Sequence, residues 1–416
     1  AGARERLLRS VWRARWTDAA SWTVPRRIAL AHAHFDLQDY LQAESAYQQV
    51  RQKMSPTSKN YNAINERLAA SIYKQGEAAQ AAGDTVAAVD HYQRVRQATP
   101  DASIVATAEF DAAAGLLAMQ DWTEATAVLE RFRNNHPNDP RQGEVTRRLA
   151  MAYISNAQPL QAAREFERIV RGHADPKLRR EALWQAAELD TTAERYPAAV
   201  GLYRDHVEQF PQPLEQAVEA RQHIVLYYQR TNNIHEQQRW LNDIIQADQH
   251  AGTQRTDRTR YLAAHAQLIL AGHAHQQYRH TSLTLPLKKS LAIKKRLMDK
   301  ALQQYDQAAG YGISEVTTAA TYHTAQIYSQ LGEALLQSQR PGDLSGESLA
   351  QYDILLEEQA YPFEEQAITL HEVNLQRIET GLYDAWIEKS LQQLAQLVPA
   401  QYAKQERGAT HVSALE

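Results

Sequence analysis

The sequence predicts an all-α protein, a right-handed α-solenoid of stacked helix pairs followed by a more degenerate helical C-terminal region. Two observations carry this expectation. The first is a period: Ala88, Ala125, Ala162 and Ala199 stand 37 residues apart, and Tyr92, Leu129, Phe166 and Tyr203 follow four positions later at the same step. Gly76, Ala113, Ala150 and Ala187 precede the alanines by 12 positions, and Pro100, Pro137, Ala174 and Pro211 follow them by 12. The second is composition: 416 residues hold only 16 Gly and 14 Pro, with Ala, Gln, Leu and Arg abundant. A chain this long ordinarily divides into two or three globular domains. A solenoid escapes that rule because each repeat touches only its neighbours.

The order of the columns resembles the tetratricopeptide unit: small residue, small residue 12 later, aromatic or Leu four further on, proline eight after that. Two antiparallel helices approach closely where small side chains such as Gly76 and Ala88 face each other. The aromatic then fills the gap toward the next unit, and proline ends the second helix because it lacks an N–H. Turn residues separate the paired columns at Gly83-Asp84, Asn156-Ala157-Gln158-Pro159 and Asn232-Asn233. The usual unit has about 34 residues, so three extra residues lengthen a helix or a turn.

Taken in order, the chain is expected to divide into N-terminal helices and a first irregular repeat over 1–68, the regular solenoid over 69–248, a helical region over 249–404 and a tail over 405–416. Residues 4–22 place Leu7, Leu8, Val11, Trp12 and Trp16 on one stripe among five arginines. This is either a basic amphipathic helix for a membrane surface or the first helix of the solenoid. After a break at 22–25, Arg27–Leu37 and Tyr40–Lys53 form a helix pair with Ala43, Tyr47 and Val50 in the repeat's spacing. A fifth unit, Ala217–Asp248, keeps Trp240 but has Glu236 in the small-residue column. Further helices are expected over 258–278, 288–309 and 314–339, the last with Ser314 as N-cap. A helix over 347–360 is followed by a separate one that Tyr361-Pro362 begins and that ends near Gly381. The last helix covers Tyr383–Leu397, closed by Pro399.

Chemistry-bearing motifs are sparse. The absence of cysteine removes thiolate catalysis and Cys-based metal sites. His265, His273, His275 and His280 cluster in sequence, but His273 and His275 point about 200° apart on a helix, so no metal is expected. Gly-rich phosphate loops, dinucleotide fingerprints and His-Glu-x-x-His do not occur, and no cofactor or catalytic residue is assigned. Net charge is −4, so no global field draws nucleic acid. The basic group Lys288, Lys289, Lys294, Lys295, Arg296 and Lys300 is read as a solvated face or a docking patch for an acidic partner, since only Tyr305 is near for base stacking. No apolar run reaches the length of a membrane span. The chain starts Ala1-Gly2-Ala3 without Met, so a processed form is expected and any leader or lipid-anchor cysteine lies upstream of it.

Three stretches carry a further resemblance. The strings 315–322, 355–365 and Tyr383-Asp384-Ala385-Trp386, with 397–404, are similar to the C-terminal part of large bacterial cell-envelope tetratricopeptide proteins. That group is associated with TonB/ExbB/ExbD- or Tol-type energy-transducing complexes and with gliding motility. The resemblance covers roughly 290–404 and implies a periplasmic or outer-membrane-associated scaffold, in a chain that is one portion of a longer protein.

By analogy with the family's geometry, the inner wall of the solenoid is lined by Tyr73, Glu77, Phe110, Arg147, Met151, Trp184, Glu188, Arg221 and Tyr228. Aromatic and Arg side chains are the types that supply binding energy at interfaces. The expected function is therefore a non-enzymatic scaffold that holds partner segments of an envelope complex in its groove. Two other classes stand beside it. One is an accessory domain of an envelope or peptidoglycan-processing enzyme, which convergent carboxylates in a pocket would reveal. The other is a co-chaperone, which needs a Lys/Asn/Arg carboxylate clamp that Arg147 and Arg221 alone do not make.

Overall fold

The computed structural model describes residues 23–172 and 174–403. The helix expected over 4–22 and the tail over 405–416 lie outside the described residues. All regular structure among the described residues is helical, so the chain is an α-solenoid of tetratricopeptide-like pairs. It divides into two compact units, one ending at Leu202 and the other beginning at Tyr203.

The first unit contains α1 (Val24–Asp36), α2 (Tyr40–Gln52), α3 (Tyr61–Ala81), α4 (Thr85–Ala98), α5 (Val105–Ala118), α6 (Trp122–Asn135), α7 (Gln142–Ser155), α8 (Pro159–Gly172) and α9 (Pro176–Thr192). Helices adjacent in sequence pack on one another. The small column is buried as its spacing requires: Ala88, Ala125 and Ala162 are closed to solvent, and a Cβ on Gly76 would come within 2.5 Å of the Tyr92 ring. Helices α4, α6 and α8 each stop two residues before the proline column. From α3 on, each pair turns through one residue in the left-handed region, at Gly83 (φ 82°), Gln120 (φ 61°), Ala157 (φ 53°) and Glu194 (φ 58°), and these four too are 37 apart. Only the first is glycine, so three of the four carry Cβ atoms in a conformation that L-residues disfavour. Where the next residue is aspartate it caps the second helix: the Asp84 carboxylate accepts from the Ala87 amide at 3.0 Å and Asp121 from Glu124 at 3.2 Å. Second helices of successive pairs are tied by buried carboxylates. Glu165 on α8 receives two hydrogen bonds from Arg133 on α6 at 2.9 and 2.5 Å.

A tenth helix, α10 (Tyr196–Gln209), contains the point of division in the sequence. The second unit continues with α11 (Leu214–Arg230), α12 (Ile234–Gln249), α13 (Asp257–Arg279), α14 (Leu287–Ala309), α15 (Ser314–Leu336), α16 (Glu347–Gln376), α17 (Ala385–Leu397) and the short turn α18 (Pro399–Tyr402). Three expectations are corrected here. Pro362 does not begin a new helix; it sits inside the 30-residue α16. The buried stripe Leu356, Ala360, Ala367, His371 and Asn374 runs through the proline at helical spacing, while the Pro362 ring itself faces solvent. Packing along that stripe outweighs one missing hydrogen bond. Ser314 is the first helical residue of α15, which stops at Leu336, and Ile313 takes the cap position. The last long helix starts at Ala385 because the Asp384 carboxylate accepts from the amides of Trp386 and Ile387, both at 2.9 Å. Pro399 opens α18 instead of closing the chain's helices.

Candidate functional site

Four of the expected inner-wall residues, Tyr73, Phe110, Arg147 and Trp184, stand 37 apart on the first helices α3, α5, α7 and α9. A second column, Asp111, Arg148 and Gln185, lies on α5, α7 and α9, the first helix of each next pair. The two columns meet at each joint, and the joints differ. At the first, the Tyr73 hydroxyl donates to Asp111 Oδ2 at 2.7 Å; burial and this hydrogen bond both push the phenol pKa up. At the second, the Arg148 guanidinium lies 4.1 Å from the centre of the Phe110 ring and Arg141 lies 5.1 Å from it. Phe132 backs the same ring at 5.9 Å. Arg141 is fixed in turn by Asp139, whose carboxyl its hydrogen bonds hold down at a pKa of about 2.

At the third joint none of the described side chains takes the place of that plug. Arg147 replaces Phe110, Ile169 replaces Phe132 and Gln185 replaces Arg148. Arg147 turns to its own helix and donates to Glu144 at 2.5 Å, a carboxylate it shares with Arg148 at 3.0 Å. Those two arginines hold the Glu144 pKa below the usual range. The result is a cleft of about 250 Å³ between α7, α8 and α9. Its walls are Arg147, Ala150 and Met151 from α7, Phe166 and Ile169 from α8, and Leu178, Glu181, Ala182 and Gln185 from α9. Phe166, expected to be buried like Tyr92 and Leu129, is only partly buried here and lines the cleft. Met151 is 61% exposed and Leu178 37% exposed, both at the cleft's lips. Drug-sized ligands occupy pockets of about 300–1,000 Å³, so the cleft is scaled to a side chain.

Of the nine expected residues, the structure gathers Arg147 and Met151 into this cleft. Tyr73 and Phe110 close the neighbouring joints, and Glu77 pairs with Lys74. Trp184 is half-buried and Glu188 exposed on α9. In the second unit, Arg221 is half-buried, donates to the Ala217 carbonyl at 2.9 Å and has its pKa lowered by burial. Tyr228 is 9% exposed with its hydroxyl taken by Arg204, so it belongs to the floor of that unit. Reading the first column alone hides the cleft. The signal is in the two columns together, where Phe110 gives way to Arg147 and Arg148 to Gln185.

In the basic group over 288–300, Lys288, Lys289, Lys295, Arg296 and Lys300 are exposed as a solvated face requires, and the one correction is Lys294. Lys294 is 3% exposed; its ammonium donates to the carbonyls of Tyr278 at 3.2 Å and Thr281 at 2.8 Å and lies over the Tyr278 ring. It caps the end of α13, and burial lowers its pKa. The histidines of the same region go to separate uses. His265 meets Glu315 at 2.7 Å, while His275 meets Gln330 at 2.9 Å and Tyr305 at 3.3 Å. His323 stacks on Tyr305 and approaches Trp386 at 4.8 Å between ring centres; burial, His275 and Lys389 push its pKa down to about 4. His371 is fully buried against Tyr322 with neither ring nitrogen hydrogen-bonded, and burial takes its pKa to about 4. Among the described residues no group of three or more His, Asp or Glu could hold a metal ion. No helix among them is long and apolar enough to cross a membrane.

Comparison with known proteins finds one family match over part of the chain. A family model described as YfiO, outer membrane lipoprotein, matches residues 65–200, the stretch that contains all three joints. No curated protein matches. Among solved structures, a tetratricopeptide repeat protein from Parabacteroides merdae is similar at 12% identity, with 71% of this chain and 98% of that one covered and a TM-score of 0.25. The P58(IPK) TPR domain is similar at 14% identity, covering 92% and 99%, with a TM-score of 0.24. Scores this low carry nothing about function. The chain is a tetratricopeptide-like protein that contains a stretch similar to the YfiO outer membrane lipoproteins.

Proposed function

We propose that the chain is a non-enzymatic interaction scaffold of the bacterial cell envelope, working in the periplasm or at the outer membrane and docking segments of partner proteins on the groove side of its first helices. The observation that carries this reading is the open joint at Arg147 and Met151, where exposed apolar side chains surround a cleft that the two preceding joints fill internally. Isolated exposed apolar residues are ordinary, whereas a shaped apolar recess with charged rims is a recognition feature. The match over 65–200 to an outer membrane lipoprotein family supports the compartment. The resemblance of 290–404 to envelope proteins that serve energy-transducing and motility complexes supports a multi-subunit partner of that kind.

A photo-cross-linking amino acid at position 151, introduced into the native host's protein, tests the reading. The expected result is one discrete product in the envelope fraction, absent when the same group stands at exposed Leu41 on α2. Equal products from both positions, or products only in the soluble cytosolic fraction, overturn it.

A further inference from the structure

We propose that the cleft between α7, α8 and α9 is a socket for one large aliphatic or aromatic side chain of an acidic partner segment, with a carboxylate beside that side chain paired to Arg147. This inference rests on the scaffold reading and names the chemistry of its partner.

Three observations lead there. First, the socket is the same place that Phe110 fills one joint earlier, where Arg148 and Arg141 lie against its ring. The fold thus already seats an aromatic side chain beside guanidinium groups at this position, and the third joint leaves that seat to be filled from outside. Second, the floor is apolar, made by Ala150, Phe166, Ile169 and Ala182, and Met151 at the lip is an unbranched side chain that reshapes around what it touches. Third, charge favours an acidic visitor. The lining holds one guanidinium, Arg147 on α7, and one carboxylate, Glu181 on the far wall, so the α7 side of the socket is its basic side.

Arg147 suits the pairing. Its side chain is half-exposed, and its one carboxylate partner, Glu144, is shared with Arg148. A visiting carboxylate therefore takes Arg147 without leaving Glu144 uncompensated, since Arg148 remains at 3.0 Å. Guanidinium–carboxylate hydrogen bonds are charge-assisted and among the stronger ones available at a surface. Glu181 on the opposite wall repels a run of carboxylates there, so the acidic group belongs on the α7 side of the anchor.

The test uses the full chain and three fluorescein-labelled 12-residue peptides, read by fluorescence anisotropy. One has a central Leu flanked by Glu, one has that Leu replaced by Ser, and one has the Glu residues replaced by Lys. The Glu/Leu peptide should bind at least tenfold more tightly than either other, and the advantage over the Lys peptide should shrink as salt rises. The double variant Arg147→Phe/Gln185→Arg, which rebuilds the plug of the preceding joint, should lose at least tenfold. Arg147→Glu should turn the preference toward the Lys peptide while leaving the helical circular dichroism unchanged.

Equal binding of all three peptides, or undiminished binding to the plugged variant, overturns the proposal. So does a chain that sediments as a dimer and becomes a monomer on Met151→Asp, which assigns the cleft to a second copy. If position 151 cross-links to an envelope protein but no acidic peptide binds, the socket chemistry is wrong and the scaffold reading stands.

Discussion

The two units solve the helix-packing problem differently. In the first, helices α4 to α8 are 14 residues each and repeat one arrangement: small residue on aromatic, carboxylate to the next arginine. In the second, α13, α14 and α15 run to 23 residues and α16 to 30. A helix that long touches more than its sequence neighbours; α15 packs on α13, α14, α16 and α17. The second unit also keeps polar groups inside, among them Lys294, His371 and Asn374, the last hydrogen-bonded to Ser390 and to the Thr318 carbonyl. A sequence period survives only where each pair faces the same neighbours. Where one helix serves four partners, position-by-position similarity dissolves although the helices remain.

The largest expected test of this contrast is acid. His323 and His371 have folded pKa values near 4, below the 6.5 of an unfolded histidine, so the unfolded state binds more protons in between. Their contribution is complete above pH 6.5 and is lost as pH falls toward 4, by about 3 kcal/mol for each at most. His323 is faced by Tyr305, Tyr322, Trp386, His275 and Lys389, none of which neutralises an imidazolium. Hydrogen exchange, corrected for intrinsic rates, should show α16 and α17 losing protection at pH 4.5 while α3 to α8 hold. A His323→Phe/His371→Leu variant should remove the difference, and parallel loss in both units would break the contrast.

Next in size is overpacking of the small column. Gly76→Leu must displace the Tyr92 ring and its hydrogen bond to Gln80, 2.8 Å in the native chain, and should cost about 2–3 kcal/mol. The urea midpoint of the first unit should fall. Gly272→Leu on α13 meets open space and should be neutral or slightly stabilising. Smaller again is Lys294→Met, which takes the ammonium from the Tyr278 and Thr281 carbonyls, the first of which keeps the Thr281 amide at 3.2 Å, and should cost about 1–2 kcal/mol. Lys288→Met, at an exposed position, should stay within about 0.5 kcal/mol in the same urea titration.

Much of the first unit was legible because its columns are side-chain size, and size is written in the sequence. Helix ends before Pro100 and Pro137 and the burial of Ala88 and Ala125 follow directly. Two members of the turn column, Gly83 and Ala157, fall in turns the sequence marks, whereas Gln120 and Glu194 are not residues that announce a left-handed backbone. Pro362 misled because a local rule was read without the stripe around it. Lys294 misled because charge predicts exposure until a helix end needs a donor. The cleft was half legible: Arg147 and Met151 were picked from position alone, but its openness is a property of two columns together.

The turns between helix pairs hold one more consequence. Gln120, Ala157 and Glu194 each sit in a backbone state that costs about 1 kcal/mol for a residue bearing a Cβ. Glycine or asparagine at those three sites would relieve it without touching the cleft, the carboxylate ties or the small column. The chain therefore carries an unused reserve of heat resistance, distributed over three surface positions, that a lineage moving to a hotter habitat could draw on while leaving its partners undisturbed.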